Sequence, residues 1–112
     1  MLFRSAELRG KGVIIAKEPC VVAGLPLADA VFRELGARLT TLVLEGELVD
    51  PGQRLAEITG STRAILTGER TALNFLQRLS GIATLTRQFV DAIAGTKAEI
   101  LDTRKKIGRA HV

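Results

Sequence analysis

The sequence predicts an α+β fold, in which a small mixed β-sandwich is packed by helices. Three observations predict it. Short β-branched clusters separated by Gly and Pro fill the first half of the chain, and apolar residues recur at helical spacing in the second half. Hydrophobic residues make up 46% of the chain, but Trp and Tyr are absent and Phe occurs four times, so the core must be aliphatic. The length of 112 residues fits one domain.

The first elements along the chain are two short apolar runs and a helix. Residues 11–19, KGVIIAKEP, predict a strand that ends at Pro19. The following CVVAGLP is a second apolar run, stopped by Gly24 and Pro26. A helix follows, with Pro26 in its first turn and Gly36 at its end.

Two further strands precede the longest segment. Residues 38–49 are strand-like, and Asp50-Pro51-Gly52 predicts a turn before the next strand. Ser61 or Thr62 then caps a long helix. We expect Ser80-Gly81 to interrupt or bend it and a second helical stretch to end at Gly95.

The end of the chain predicts one more strand. Ile100 and Leu101 complete the order β-β-α-β-β-α-α-β, and this last strand resembles the first strand of a further α/β unit. A buried parallel strand with nothing to pair with is unusual, which indicates truncation. We therefore divide the chain into a sandwich domain over residues 9–95, the start of the further unit over residues 96–105, and a tail over residues 106–112.

Composition excludes several classes of function. The formal net charge of +4 is modest and no basic run occurs, so nucleic-acid binding is weakly supported, whereas a small anionic ligand fits. A single cysteine, Cys20, excludes an intrachain disulfide and a multi-thiolate metal site, and we expect it to be buried. The single histidine, His111, lies at the extreme end, which disfavours His-based catalysis. No segment approaches a membrane span or a signal peptide, so a cytoplasmic location is expected.

The long helix carries the first candidate site. Arg70 projects from its polar side, with Asn74 one turn on and Arg63 two turns back. Guanidinium groups bind carboxylate and phosphate in a bidentate manner, although spacing alone favours a merely solvated helix face. Glu69 falls inside the apolar arc, so its carboxylate needs a partner or a helix end nearby.

The second candidate site is the segment DTRK. Thr103, Arg104 and Lys105 follow the last predicted strand, and ligands of α/β folds gather at the carboxyl ends of strands. An exposed charged loop explains the same residues equally well. In addition, EGELVDPGQRLAEI resembles half of a biotinyl or lipoyl carrier domain, but the Met-Lys pair and the second half of such a domain are missing.

Four segments together resemble one enzyme family. AKEPCVVAGLPLADAVFREL, LVDPGQRLAEITG, ILTGERTALNFLQRLSGIATLT and AEILDTRK are similar, in order, to the N-terminal part of quinolinate phosphoribosyltransferase. The resemblance implies an N-terminal α/β sandwich joined to an α/β barrel and assembled as a homodimer. It also implies transfer of ribosyl phosphate from phosphoribosyl pyrophosphate to quinolinate, with loss of carbon dioxide, for NAD synthesis. Mg²⁺ accompanies the pyrophosphate.

The same resemblance assigns roles to residues. It implies that Arg70, the arginine of GER, reaches the active site of the neighbouring subunit and contacts a quinolinate carboxylate. Arg104 and Lys105 line the substrate pocket as catalytic and binding residues, with Thr103 adjoining. After DTRK the chain departs from the family pattern, as does MLFRSAEL at its start, and we expect the fragment to be inactive alone. Alternatives are a related phosphoribosyltransferase of the molybdenum-operon type, nicotinate phosphoribosyltransferase, or a non-enzymatic dimerising domain.

Overall fold

The computed structural model describes residues 1–95 of the chain. It consists of six strands and two helices. In chain order these are β1 (Phe3–Leu8), β2 (Lys11–Ala16), β3 (Cys20–Val21), α1 (Leu25–Glu34), β4 (Arg38–Thr41), β5 (Leu48–Val49), β6 (Arg54–Thr59) and α2 (Thr62–Ala94).

Four of the strands form one sheet in the order β1-β2-β6-β4, and β3 pairs with β5 in a second, two-stranded sheet. Every pairing in the described residues is antiparallel. The α+β class is therefore confirmed, and the expected mixed sheet is realised as an antiparallel one with α1 and α2 packed against it.

The strand β1 lies in a part of the chain for which the sequence predicts no helix or strand. It forms a hairpin with β2 whose register joins Leu8 to Lys11. The two loop residues, Arg9 and Gly10, have φ values of 53° and 79°. Positive φ at both central residues matches the right-handed twist of the flanking strands, so this tight connection suits the hairpin.

The core lies between one face of the four-stranded sheet and the two helices. Alternate residues of β2 point into it, beginning with Gly12 and continuing with Ile14 and Ala16. Phe32 of α1 and Leu76 of α2 meet them from the helical layer and are almost fully buried. As the composition predicts, most of the core is aliphatic.

The predicted strand over residues 38–49 is shorter than expected. The strand β4 ends at Thr41, and the chain then loops to β5. Within that loop the Glu45 carboxylate accepts hydrogen bonds from the backbone N–H groups of Gly24 and Leu25, at 2.8 and 3.1 Å. These groups begin α1, whose first turn contains Pro26 as predicted. The loop interrupts the strand because its carboxylate satisfies the open amino end of α1.

The expected interruption at Ser80-Gly81 is wrong. The helix α2 runs without a break from Thr62 to Ala94, a length of about 50 Å. Ser80 does not interrupt it, and its hydroxyl bonds to Ala23 in another segment rather than to its own helix. No helix within residues 1–95 is long and apolar enough to cross a membrane.

Candidate functional site

Arg70 lies on the solvent-exposed side of α2, as the helical spacing predicts. Arg63, Thr67 and Asn74 are exposed on the same side. The opposite side carries buried residues, among them Gly68 and Ala72. The ion pairs of the described residues join Arg33 to Asp29, Arg54 to Glu57 and Arg87 to Asp91. Since Arg70 is in none of them, its guanidinium is available to an anion.

A groove runs beside Arg70 at the start of the chain. It is lined by Met1, Glu69, Arg70, Leu73 and Asn74. The Glu69 carboxylate does not pair with the guanidinium next to it in sequence, because it accepts a 2.8 Å hydrogen bond from the Ser5 hydroxyl of β1. The expectation that Glu69 needs a partner is confirmed.

The beginning of α2 is fixed by a cap at Ser61. The Ser61 hydroxyl oxygen accepts a hydrogen bond from the Ala64 N–H at 3.0 Å, which satisfies one of the free donors at the end of the helix. Since Arg70 lies within three turns of this cap, its position along the sheet depends on where the helix begins.

Gly68 brings the two helices together just before Arg70. A Cβ atom at this position would meet Phe32 Cε1 at 2.7 Å and Leu35 Cδ1 at 2.9 Å, which is closer than such atoms approach. Only glycine lets α1 lie this close. The helical spacing of TGERTALN does not identify Gly68 as a packing position, because that role depends on which element crosses the helix there.

Beyond Arg70, polar side chains of α2 hold neighbouring backbone. The side-chain carbonyl of Gln77 accepts a 2.7 Å hydrogen bond from the Leu2 N–H. The fully buried Ser80 hydroxyl accepts from the Ala23 N–H at 2.9 Å and donates to the Ala23 carbonyl at 3.1 Å. These bonds attach α2 to the start of β1 and to the segment before α1.

One turn further, Thr84 repeats the pattern. Its hydroxyl accepts from the Val21 N–H at 2.9 Å and donates to the Ser80 carbonyl at 2.7 Å. A serine followed by a threonine four positions later is the signal in the sequence, but Ser-Gly pairs also mark bends, which is why the sequence predicts an interruption here. Together these contacts make α2 a rigid support for Arg70.

The remaining predicted site residues, Thr103, Arg104 and Lys105, lie outside the described residues. Within residues 1–95 no group of three or more His, Cys, Asp or Glu residues could hold a metal ion.

Cys20 is buried, as expected, and is not a reactive nucleophile. Burial raises the pKa of its thiol above the ordinary 9.0, and the Glu18 carboxylate raises it further. A thiol that stays protonated at neutral pH is a poor nucleophile. Among the described residues, the candidate site is therefore a binding site in which the Arg70 cation is presented by the helix α2.

Comparison with known proteins decides the family. Residues 2–80 match the model of the quinolinate phosphoribosyl transferase N-terminal domain, which is more than half of the chain. The chain belongs to this family. The resemblance drawn from the four sequence segments is thereby confirmed.

The relatives of this quinolinate phosphoribosyl transferase N-terminal domain are much longer than the chain. A probable nicotinate-nucleotide pyrophosphorylase (carboxylating) from a Synechocystis species is 46% identical over 99 residues, covering 87% of this chain and 34% of the relative. The enzyme of the same name from Mycobacterium leprae is 43% identical over 100 residues, covering 86% of this chain and 35% of the relative. The chain thus spans about a third of the length of these curated relatives.

Solved structures agree on the fold. The nicotinate-nucleotide pyrophosphorylase from Francisella tularensis superimposes with a TM-score of 0.73 at 34% identity, covering 80% of this chain and 32% of that chain. The protein from Ehrlichia chaffeensis gives a TM-score of 0.70 at 33% identity, with 80% and 34% of the two chains covered. The predicted N-terminal sandwich architecture is confirmed.

Proposed function

We propose that this chain supplies one wall of the active site of a quinolinate phosphoribosyltransferase, a pentosyltransferase of NAD biosynthesis. The reaction moves ribosyl phosphate from phosphoribosyl pyrophosphate to the quinolinate nitrogen and releases pyrophosphate and carbon dioxide. The product is nicotinate mononucleotide. The observation that carries the proposal is Arg70, exposed and free of ion pairs in the described residues, on a helix of the matching family.

The residue type suits the substrate. Quinolinate is a dicarboxylate, and a guanidinium fork binds a carboxylate through two parallel N–H···O bonds. Hydrogen bonds before and after Arg70, between Glu69 and Ser5 and between Ser80 and Ala23, hold its helix in place. Little conformational entropy is therefore lost when the ligand binds. Arg70 thereby acts as a binding residue for the carboxylate.

The rest of the site is proposed on the family resemblance. Thr103, Arg104 and Lys105 would line the substrate pocket, and cations near the reacting carboxylate would stabilise the charge that develops as carbon dioxide leaves. Mg²⁺ would enter bound to the pyrophosphate of the co-substrate. Arg70 would serve the active site of the second subunit in a homodimer.

Catalysis is proposed for the longer protein, not for this chain alone. Since the chain spans about a third of its relatives, we expect the chain alone to form no nicotinate mononucleotide from the two substrates. The cytoplasmic location stays a prediction, because a rice relative is named as chloroplastic and one from Nicotiana glauca as mitochondrial.

A chimera tests the proposal. Residues 2–80 would replace the corresponding part of the Synechocystis relative, and turnover of quinolinate would be measured. The folded chimera should form nicotinate mononucleotide. Arg70→Lys should lower its kcat/KM for quinolinate by about 10–100-fold, because the ammonium group makes no bidentate contact.

Arg33→Lys is the matched control. Arg33 lies within the same span, but it is on α1 and pairs with Asp29, so its replacement should leave kcat/KM unchanged. A folded but inactive chimera, or an Arg70→Lys chimera as active as the Arg33→Lys one, would refute the proposal.

A further inference from the structure

The groove beside Arg70 contains a second hydrogen-bond donor that the proposed function does not use. The residues that line this groove are Met1, Glu69, Arg70, Leu73 and Asn74. The side chains of Met1 and Leu73 are apolar, and the ionised Glu69 carboxylate can only accept hydrogen bonds. Asn74 is exposed, and its side chain takes part in no hydrogen bond within residues 1–95. Among the described residues that line the groove, the Asn74 amide is therefore the free neutral donor.

The helix α2 places this amide next to Arg70. Asn74 follows Arg70 by four positions, so the two side chains leave the same side of α2 with about 5–6 Å between their Cβ atoms. Side chains of a helix lean towards its amino end, so the Asn74 amide covers the surface next to Arg70 rather than the turn beyond it. The groove has a volume of about 340 Å³, which is at the small end of the range for ligand sites and suits a single-ring acid. A ligand of this size that the guanidinium holds in the groove also lies against the amide.

The stability of the helix does not account for an asparagine at this position. Asparagine is unfavourable in a helix interior, because its amide competes for backbone groups. The side chains of Ser61, Gln77 and Ser80 each bond to backbone groups, which explains their presence in or next to α2. Asn74 has no such bond within residues 1–95. A residue that breaks a local rule without a structural gain is typical of a functional position.

We propose that the Asn74 amide donates an N–H to the quinolinate carboxylate that Arg70 does not hold, which makes Asn74 a specificity-determining residue. This inference rests on the proposed function, in which the Arg70 guanidinium binds one carboxylate. The two carboxylates of quinolinate are on adjacent carbons of the ring, so a donor next to the guanidinium reaches the second one. Nicotinate and picolinate each lack one of these carboxylates, and each therefore leaves either the guanidinium or the amide without its acceptor.

The amide discriminates between these acids because it is neutral. Cations, such as those proposed at Arg104 and Lys105, attract every carboxylate within reach. An amide contributes through a directed hydrogen bond, which requires an acceptor at one place. A site built to hydrogen-bond a group of its substrate rejects an analogue without that group, because its own donor is then left unpaired. Asn74 thereby favours the dicarboxylate over the two monocarboxylates.

Asn74→Ala in the chimera that contains residues 2–80 tests the proposal. The KM for quinolinate should rise about tenfold, because a hydrogen bond to a charged group is lost, and the KM for phosphoribosyl pyrophosphate should stay unchanged. Of nicotinate and picolinate, the acid that lacks the carboxylate bound by Asn74 should inhibit the parent chimera and Asn74→Ala equally. Asn74→Asp replaces the donor by a negative charge and should raise the KM for quinolinate further, by at least about 100-fold.

Thr71→Ala is the matched control. Thr71 is exposed on the same helix but does not line the groove, so its replacement should leave both KM values unchanged. Thermal unfolding of the full chain separates binding from folding. Alanine is the better helix former, so Asn74→Ala should keep or raise the midpoint of unfolding. A midpoint clearly below that of the parent chain would show that Asn74 serves the fold and would overturn the proposal.

The kinetic results separate this inference from the proposed function. Equal KM values for quinolinate in Asn74→Ala and Thr71→Ala would overturn the role of Asn74, as would a loss of affinity by one common factor for quinolinate, nicotinate and picolinate. If Arg70→Lys impairs the chimera and Asn74→Ala does not, this inference fails and the proposed function stands. A folded chimera without activity would overturn both.

Discussion

Replacing Gly68 by alanine tests whether close approach of the two helices fixes the position of Arg70. The added Cβ would lie 2.7 Å from Phe32 Cε1 and 2.9 Å from Leu35 Cδ1. Leu35 is partly exposed and can move, but Phe32 is 1% exposed and enclosed by the core. Part of the overlap must therefore be relieved by moving α1 away from α2.

Two opposing effects set the magnitude. Inserting a methyl group into a well-packed contact costs about 1–3 kcal/mol. Alanine in place of glycine favours a helix interior by about 1 kcal/mol. The same helix offers a control in Gly81, where an added Cβ meets nothing within 4 Å. Gly81→Ala should gain only the higher helix propensity of alanine, without the steric cost. The unfolding free energies of Gly68→Ala and Gly81→Ala should therefore differ by about 1–3 kcal/mol.

Urea unfolding followed by far-ultraviolet circular dichroism measures this difference. The chain has no Trp or Tyr, so intrinsic fluorescence offers little signal, whereas α2 dominates the helical signal. We expect Gly81→Ala to be more stable than the parent and Gly68→Ala to be less stable. If Gly68→Ala stabilised the chain as much as Gly81→Ala does, the steric role of Gly68 would be refuted.

Three further substitutions or conditions test the supports of α2 and the core. Ser80→Ala should lower the unfolding free energy by about 1–3 kcal/mol in urea titrations, because it leaves the Ala23 N–H and carbonyl unpaired, whereas Thr86→Ala at an exposed position should have little effect. Ser61→Ala should cost about 1 kcal/mol and Ser61→Asp should retain the cap, as read from thermal unfolding. Because burial raises the pKa of the Cys20 thiol above 9.0, the unfolded chain releases this proton first. The stability contributed by the protonated Cys20 thiol is complete below about pH 9 and is lost as the pH rises above it. The urea midpoint should therefore fall in alkali, and it should fall less in Cys20→Ala.

The sequence predicted what depends on local periodicity. The 3.6-residue repeat places Arg70 and Asn74 on the exposed side of α2 and Glu69 inside the apolar arc, where its carboxylate needs a partner or a helix end. That partner, Ser5, could not be named because it lies 64 positions away. Local rules therefore identified the candidate binding residue but not the contacts that hold it.

The misses share a physical origin in long-range contacts. The sequence of β1, FRSAEL, has few apolar residues and so only a weak strand pattern. Its pairing with β2 is what stabilises it as a strand. The Ser80-Gly81 pair reads locally as a bend, but Ser80 bonds to Ala23 across the fold and the helix continues. Residues 96–112, which hold the predicted DTRK site, lie outside the described structure, and their assignment stays a prediction.

The arrangement of α2 links stability to the proposed binding role. Buried or bonded groups precede Arg70 at Ser61 and Gly68 and follow it at Gln77 and Ser80, so the guanidinium lies between fixed points on one helix. A substitution at these positions changes where the cation is presented even though it touches no ligand. In the active chimera, Gly68→Ala should therefore weaken quinolinate binding. Gly81 cannot serve as the control there, because the chimera contains only residues 2–80 of this chain. The matched control is Thr40→Ala, at an exposed position of β4 that has no role in α2. Equal losses of quinolinate affinity in Gly68→Ala and Thr40→Ala would show that the position of Arg70 does not depend on helix packing.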